Sequence, residues 1–182
     1  MGEACAERGL DPVAVLAEIA PCAEADGVRP EALSPAALVD FIIARFHDPL
    51  RTELARLQDM ARKVARVHRD KPTCPAELAA HVAELAASFI AHMAKEEQIL
   101  FPMIRAGFGA RAHMPIKVMM QEHENHAANL RRTRVLTADL EAPADACGTW
   151  RALYDELREL ELDLMRHVHL ENNVLFPAAL NG

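Results

Sequence analysis

The chain has 182 residues, 51% of them apolar and only 4% aromatic, with 20 Lys and Arg against 27 Asp and Glu for a net charge of −7. That length suits roughly one domain with a buried core, and seven Gly and 11 Pro exclude a low-complexity or collagen-like chain. No basic patch offers a nucleic acid its counter-charge and no apolar run reaches the roughly 18 residues of a spanning helix, so neither nucleic acid nor membrane is expected as a partner.

At the N-terminus, MGEACAERGL puts acidic residues where a secretory signal carries positive charge ahead of an apolar run. A cytoplasmic protein is therefore expected. Residues 1–33 read as a separate N-terminal appendage, with GLDPVAVLAEIA as one short helix and DGVRP as a turn. From residue 34 onward Ala, Leu, Glu, Arg and Met dominate, all good helix formers, and no β-branched alternating run appears. Ser34-Pro35 reads as an N-cap followed by Pro at the first helical position. It opens a helix toward Val67, which Pro49 is expected to kink. Thr73, Cys74 and Pro75 open a second helix, expected to fray between Pro102 and Gly107. A third is expected from Met114-Pro115 to about Thr137, and a fourth from Thr149 to Leu175, closing near Pro177. Four long helices with short connections predict an all-α fold, an antiparallel up-down four-helix bundle over residues 34–182.

The chain carries nine His beside one Trp, one Tyr and four Cys. Cys5, Cys22, Cys74 and Cys147 are scattered without a CxxC pair, so reduced thiols are expected rather than a zinc cluster or redox dithiol. The histidines are patterned. HMAKEEQILFP from His92 and HVHLENNVLFP from His167 both read H-x3-E-x3-L-F-P, 75 residues apart. Upstream of each, His47 and His123, 76 residues apart, begin the segments HDPLRTEL and HENHAANL, both H-[DE]-x5-L. Each half thus offers one His on its first helix and an HxxxE on its second, the mark of an internal duplication.

Residues four apart on a helix differ by about 40° in azimuth and about 6 Å along the axis, so His and Glu at i, i+4 project from one face. That face is otherwise apolar: Leu85, Phe89, Ile99 and Met103 flank the first pair, and Leu160, Leu164, Val174 and Leu175 the second. A charged Glu there is costly unless paired or bound to metal. A lone HxxxE is most often an exposed ion pair, but two in frame with matched upstream histidines are not expected of surface patterning. His47, His92, His123 and His167 with Glu96 and Glu171 are therefore the candidate metal ligands. Nitrogen and oxygen donors without thiolate disfavour iron–sulfur and copper(I) sites, and six are too many for one tetrahedral zinc. Two metals, each with two His and sharing two carboxylates, suit a di-iron centre with an oxo or hydroxo bridge and room for a diatomic ligand. Ligand type leaves manganese or a mixed pair open.

The other histidines carry less. His81 shares the face of His92 but sits about 16 Å up the helix, His126, about one turn from His123, reads as a bystander first and as a supporting or pH-sensitive neighbour of the ligands second, and His68, His113 and His169 are expected at the surface. Met119-Met120 is expected to fill core. HENH stops short of HExxH because residue 127 is Ala, and no His has a Glu three residues before it, as ferritin-like sites require.

At HMAKEEQILFPMI, HVHLENNVLFP, RFHDPLRTEL, KVARVHRDKP and VMMQEHENH the chain resembles the repair-of-iron-centres family. These are hemerythrin-like di-iron proteins linked to iron–sulfur cluster repair after nitric oxide stress. The resemblance runs from about Ala36 to the C-terminus. It implies two non-haem iron ions, the four histidines as terminal ligands, Glu96 and Glu171 as bridges, NO or O2 as the small ligand, and iron–sulfur proteins and an electron donor as partners. NO scavenging, NO reduction and iron release are all consistent with it, as is a non-enzymatic O2 or NO binder or sensor. Members often carry an N-terminal helical domain with a Cys-Cys-Gly-Gly motif. CAERGLDPVAVLAEI resembles only the tail of such a domain, with a lone Cys5, so residues 1–33 are expected to be its remnant.

Overall fold

A computed structural model describes residues 29–181; the short helix expected within GLDPVAVLAEIA lies outside them. Among the described residues every regular element is helical. A short 3-10 turn, Pro30–Ala32, leads to α1 (Pro35–Ile42), which passes through a π-helical turn (Ile43–His47) into α2 (Asp48–Val67). Next come α3 (Leu78–Lys95), a second π turn (Glu96–Leu100) and α4 (Phe101–Arg105). A 3-10 turn, Gly109–Arg111, precedes α5 (His113–Leu136). Finally α6 (Gly148–Leu170) runs through a third π turn (Glu171–Leu175) into α7 (Phe176–Asn181).

Four of these helices are long, as expected for a hemerythrin-like bundle, and the predicted cap is present: Ser34 Oγ accepts from Ala37 N at 3.3 Å, with Pro35 behind it. The second long helix starts at Leu78, three residues after Pro75, without a side-chain cap. The end expected between Pro102 and Gly107 falls at Arg105, with Gly107 at φ 72°, and the stop expected near Pro177 comes at Asn181; at the prolines themselves the helix uses a different device. Asp48, Phe101 and Phe176 each donate their N–H to the carbonyl five residues back, and each is followed by a proline: Pro49, Pro102 or Pro177. Proline has no N–H, and its ring strikes the carbonyl four residues back in an α-helix. Widening the preceding turn to π geometry removes that clash, so the chain continues as helix.

The extra residue in each π turn also rotates the side chains beyond it about the helix axis. Leu100 and Leu175 point inward and are buried. Ile99, expected on the inner face, is 56% exposed, and Val174 is half-buried. A π turn therefore corrects the azimuth that 3.6-residue periodicity assigned to Ile99.

The apolar core is in two parts. One cluster joins α2, α3 and α6 through Leu54, Leu57, Val82, Leu85, Leu153 and Leu157. The other joins α1, α4, α5 and α7 through Ile42, Phe101, Ile116, Met119, Leu175 and Phe176. Met119 is core as expected, whereas Met120 is exposed. On all four long helical segments the candidate ligands fall between these clusters. They form a polar layer with apolar packing on both sides.

Candidate metal centre

The three π turns hold three of the six candidate ligands: His47 ends the first, Glu96 begins the second and Glu171 begins the third. π-helical turns recur at functional sites because they re-aim side chains without ending the helix. His92 and His167 lie one turn before the two carboxylates, and His123 comes from mid-α5. All six side chains are buried, His47, Glu96 and Glu171 with 0% exposure.

Their donor atoms gather into two sets, His47–Glu96–His167–Glu171 and His92–Glu96–His123–Glu171, each within 4.8 Å. Both carboxylates belong to both sets. The histidines pair across the duplication: each set takes one His from the first half and one from the second. His47 Nε2 lies 3.1 Å from His167 Nε2, and His92 Nε2 lies 3.1 Å from His123 Nε2. Around them, Glu96 approaches His47 at 3.5 Å and His92 at 3.4 Å, and Glu171 approaches His167 at 3.0 Å and His123 at 3.2 Å.

The outer ring nitrogens decide which way the protons point. His47 Nδ1 donates to Glu97 Oε1 at 2.7 Å, His92 Nδ1 to Glu122 Oε2 at 3.0 Å, and His123 Nδ1 to Asn172 Oδ1 at 2.9 Å. Carboxylate and amide acceptors of this kind fix the tautomer and raise ligand basicity in metal sites. With the proton on Nδ1, the Nε2 lone pairs of these three histidines face inward, toward the carboxylate oxygens. Both Glu96 oxygens and Glu171 Oε2 are buried without a hydrogen-bond partner among the described residues. Acceptors facing acceptors in a dry core repel, and cations between them remove the repulsion. Four imidazole nitrogens and two shareable carboxylates are the donor chemistry that two borderline cations such as iron accept.

The outer carboxylates are anchored in turn. Arg51 Nη2 holds Glu97 at 2.6 Å, and Lys95 holds Glu122. Although burial alone would raise Glu97 and Glu122, these cations and the two histidines keep both below the usual carboxylate range. Without metal, burial and the neighbouring His167 push His47 down to about 4. Burial also pulls on His92, but Glu96, Glu171 and Glu122 outweigh it and hold it up at about 9. Burial and the charge of Glu171 raise Glu96, whereas His167 and His123 outweigh burial at Glu171 and hold it well below its ordinary value.

Aromatic rings close the layer. Phe101 stacks on His47 (5.6 Å between centroids) and Phe176 on His123 (6.1 Å), one from each L-F-P block. Phe46 stacks on His167 at 5.3 Å. His167 Nδ1 is buried without a hydrogen-bond partner among the described residues. The position that would supply one, by the 76-residue offset that relates Glu122 to its counterpart, is Phe46. A groove of about 280 Å³ between α2 and α6, floored by Phe46, Leu50, Leu160, Leu164 and His167, leads from solvent to this side.

The remaining histidines divide. His81 is a satisfied core histidine, within 2.9 Å of Thr133 Oγ1 and 3.1 Å of the Asn129 carbonyl. His113 is exposed and His169 half-buried, the latter paired with Asn173. His68, expected at the surface, is only 8% exposed: it closes α2, packs on Trp150 and lies 3.1 Å from Cys147 Sγ. The outer partners Glu97, Glu122 and Asn172 were not among the sequence candidates. Each adjoins a candidate ligand in the chain, and the polar residue following Glu96 and Glu171 in both halves was the available signal.

This fold and donor set define the class. The chain belongs to the hemerythrin HHE cation-binding family: residues 39–179 match the Hemerythrin HHE cation binding domain. Relatives within it carry a more specific name. The chain is 52% identical over 145 residues to the iron-sulfur cluster repair protein YtfE of Yersinia pseudotuberculosis serotype O:1b (strain IP 31758), covering 80% of this chain and 66% of that protein. It is 51% identical over the same length to the YtfE proteins of Musicola paradisiaca (strain Ech703), covering 65% of that protein, and of Yersinia pestis (strain Pestoides F), covering 66%. The chain thus spans slightly less than two thirds of the length of these relatives.

Proposed function

We propose that this chain is a cytoplasmic non-haem di-iron protein of the nitrosative and oxidative stress response that binds NO and supports repair of damaged iron–sulfur clusters. His47 and His167 would hold one iron, His92 and His123 the other, with Glu96 and Glu171 bridging. Residues 34–182 are the metal-binding unit, an antiparallel up-down bundle, and residues 1–33 a short appendage. The observation that carries the reading is the pair of four-donor sets sharing both carboxylates. The printed names of the relatives support the repair role. No described helix is long and apolar enough to cross a membrane, which fits a cytoplasmic site of action.

Iron bound there would supply an open coordination position and redox chemistry. The rest is done by the protein. Glu97, Glu122 and Asn172 hold the Nδ1 protons outward, so that the Nε2 lone pairs stay available. Phe101 and Phe176 keep water from one end of the layer, and the α2–α6 groove gives a small molecule a way in beside His167.

Anaerobic Mössbauer and EPR spectroscopy of the isolated protein, with iron quantified, tests this directly. Two irons per chain in the wild type, a loss in Glu96→Ala and NO-dependent spectral change are the expected results. Stoichiometry well below two in intact wild type sinks the di-iron reading. Reversible NO or O2 binding without turnover under added reductant replaces NO reduction by a binder or sensor.

A further inference from the structure

His126 lies beside the polar layer and is neither one of the six candidate ligands nor an outer partner of one. It is 3% exposed, and neither ring nitrogen has a hydrogen-bond partner among the described residues. Its plane is held by Phe89, stacked at 4.1 Å, and it stands edge-on to His92, 4.8 Å away at 85°. A buried imidazole with two empty positions is costly, and native cores rarely leave one without a compensating ligand or water.

The fold does not need it. By the 76-residue offset its counterpart in the first half is Leu50, and Phe89 answers to Leu164 at 75 residues. A leucine therefore fills this position where the duplicated layer is only packed. Nor does it orient a ligand: His92 and His123 already give their outer protons to Glu122 and Asn172. It is also outside both four-donor sets. Among the described residues no side chain or backbone group answers His126, and what remains is a molecule that arrives.

We infer that His126 is a ligand-binding side chain of the centre, donating a hydrogen bond to a small acceptor molecule, a diatomic such as NO or O2 or an anion of similar size, bound on the His92–His123 side. Neutral imidazole offers one N–H and one lone pair, and Phe89 fixes the plane in which they point. The asymmetry between halves then has a consequence: the His126 side retains a polar ligand, and the Leu50 side admits it. The inference rests on the di-iron reading above.

The test uses the iron-loaded full chain with azide as probe, then NO and O2 separately. The variants are His126→Leu, which copies the first half, and His126→Gln, which keeps a donor. Both are expected to hold two irons per chain with unchanged Mössbauer parameters. Azide affinity should fall roughly tenfold in His126→Leu and recover in part in His126→Gln, and the N–O stretch of the NO complex should shift only in His126→Leu. If the effect is confined to NO or to O2, that diatomic is the ligand. Azide affinity, N–O stretch and O2 binding all unchanged in His126→Leu overturn the proposal, as does loss of iron in both variants, which makes His126 a metal-holding residue. Wild type with fewer than two irons fails earlier, sinking the di-iron reading and this proposal with it.

Discussion

At the scale of single residues, the centre is nearly but not fully symmetric. Glu97 and Asn172 are counterparts, one charged and one neutral, and Glu122 has Phe46 as its counterpart. Removing an acceptor from a metal-binding histidine typically weakens metal affinity 10–100-fold. Glu122→Ala is therefore expected to lower affinity by about that factor at the His92–His123 position, measured by competition with a chelator. Asn172→Ala should have a smaller effect, because a neutral acceptor polarises the imidazole less. Equal metal retention in Glu122→Ala and wild type would mean that the outer carboxylate does not support the site. The gathering of the six candidate side chains was legible in the sequence, because i, i+4 spacing fixes a shared face and the repeat identifies which pairs matter. The burial of His68 was not, because a position at the end of a helix says nothing of the loop and indole that cover it.

At the scale of elements, prolines 49, 102 and 177 were visible as interruptions, but their outcome depended on the backbone. Each is answered by a π turn rather than a break, and this carries Ile99 outward and Leu100 inward. Hydrophobic periodicity at 3.6 residues cannot encode that extra residue. Two loops make sharper demands. After α5, Ala138, Asp139 and Leu140 all have positive φ, at 50°, 60° and 62°. They persist because Leu140 is buried, its N–H donates to Thr137 Oγ1 at 3.1 Å and its carbonyl accepts from Arg158. Non-glycine residues in this region are strained by roughly 1–2 kcal/mol each. Ala138→Gly should therefore stabilise the protein by about 1 kcal/mol and raise Tm by roughly 2–4 °C, read by calorimetry. The opposite case is Gly109, where an added Cβ would fall inside the Ala179 carbonyl of α7. Gly109→Ala is expected to destabilise by about 1–3 kcal/mol, since backbone on both sides must move.

At the scale of the whole molecule, the duplication does more than repeat a motif. Pairing across the halves means that neither half completes a metal position alone, so loading ties α1–α4 to α5–α7 through the two shared carboxylates. The metal-free layer is held together by protons instead. In that state His92 binds a proton up to about 9 and burial is outweighed at His167, which is also raised, mainly by Glu171. Metal uptake near neutral pH should therefore release protons, His92's foremost, seen as a dependence of the calorimetric enthalpy on the ionisation heat of the buffer. The pH response of the metal-free protein has two signs. His92 binds its proton more tightly folded than unfolded, so its stabilisation is present below about 6.5 and is lost as pH rises toward 9. His47 and His126 are held down at about 4 and about 3, the latter by burial and then by His92 and His123. The unfolded chain takes up those two protons first, so stability falls as pH drops from 6.5 toward 3. Metal binding opposes both losses by favouring only the folded state. At a thousandfold excess over Kd one site adds about 4 kcal/mol, which for a chain of this length is a Tm shift on the order of 10 °C. Chelation should lower Tm by that amount or more and move the acid edge upward. A chelated protein that melts where the loaded one does would mean that the polar layer is satisfied without metal.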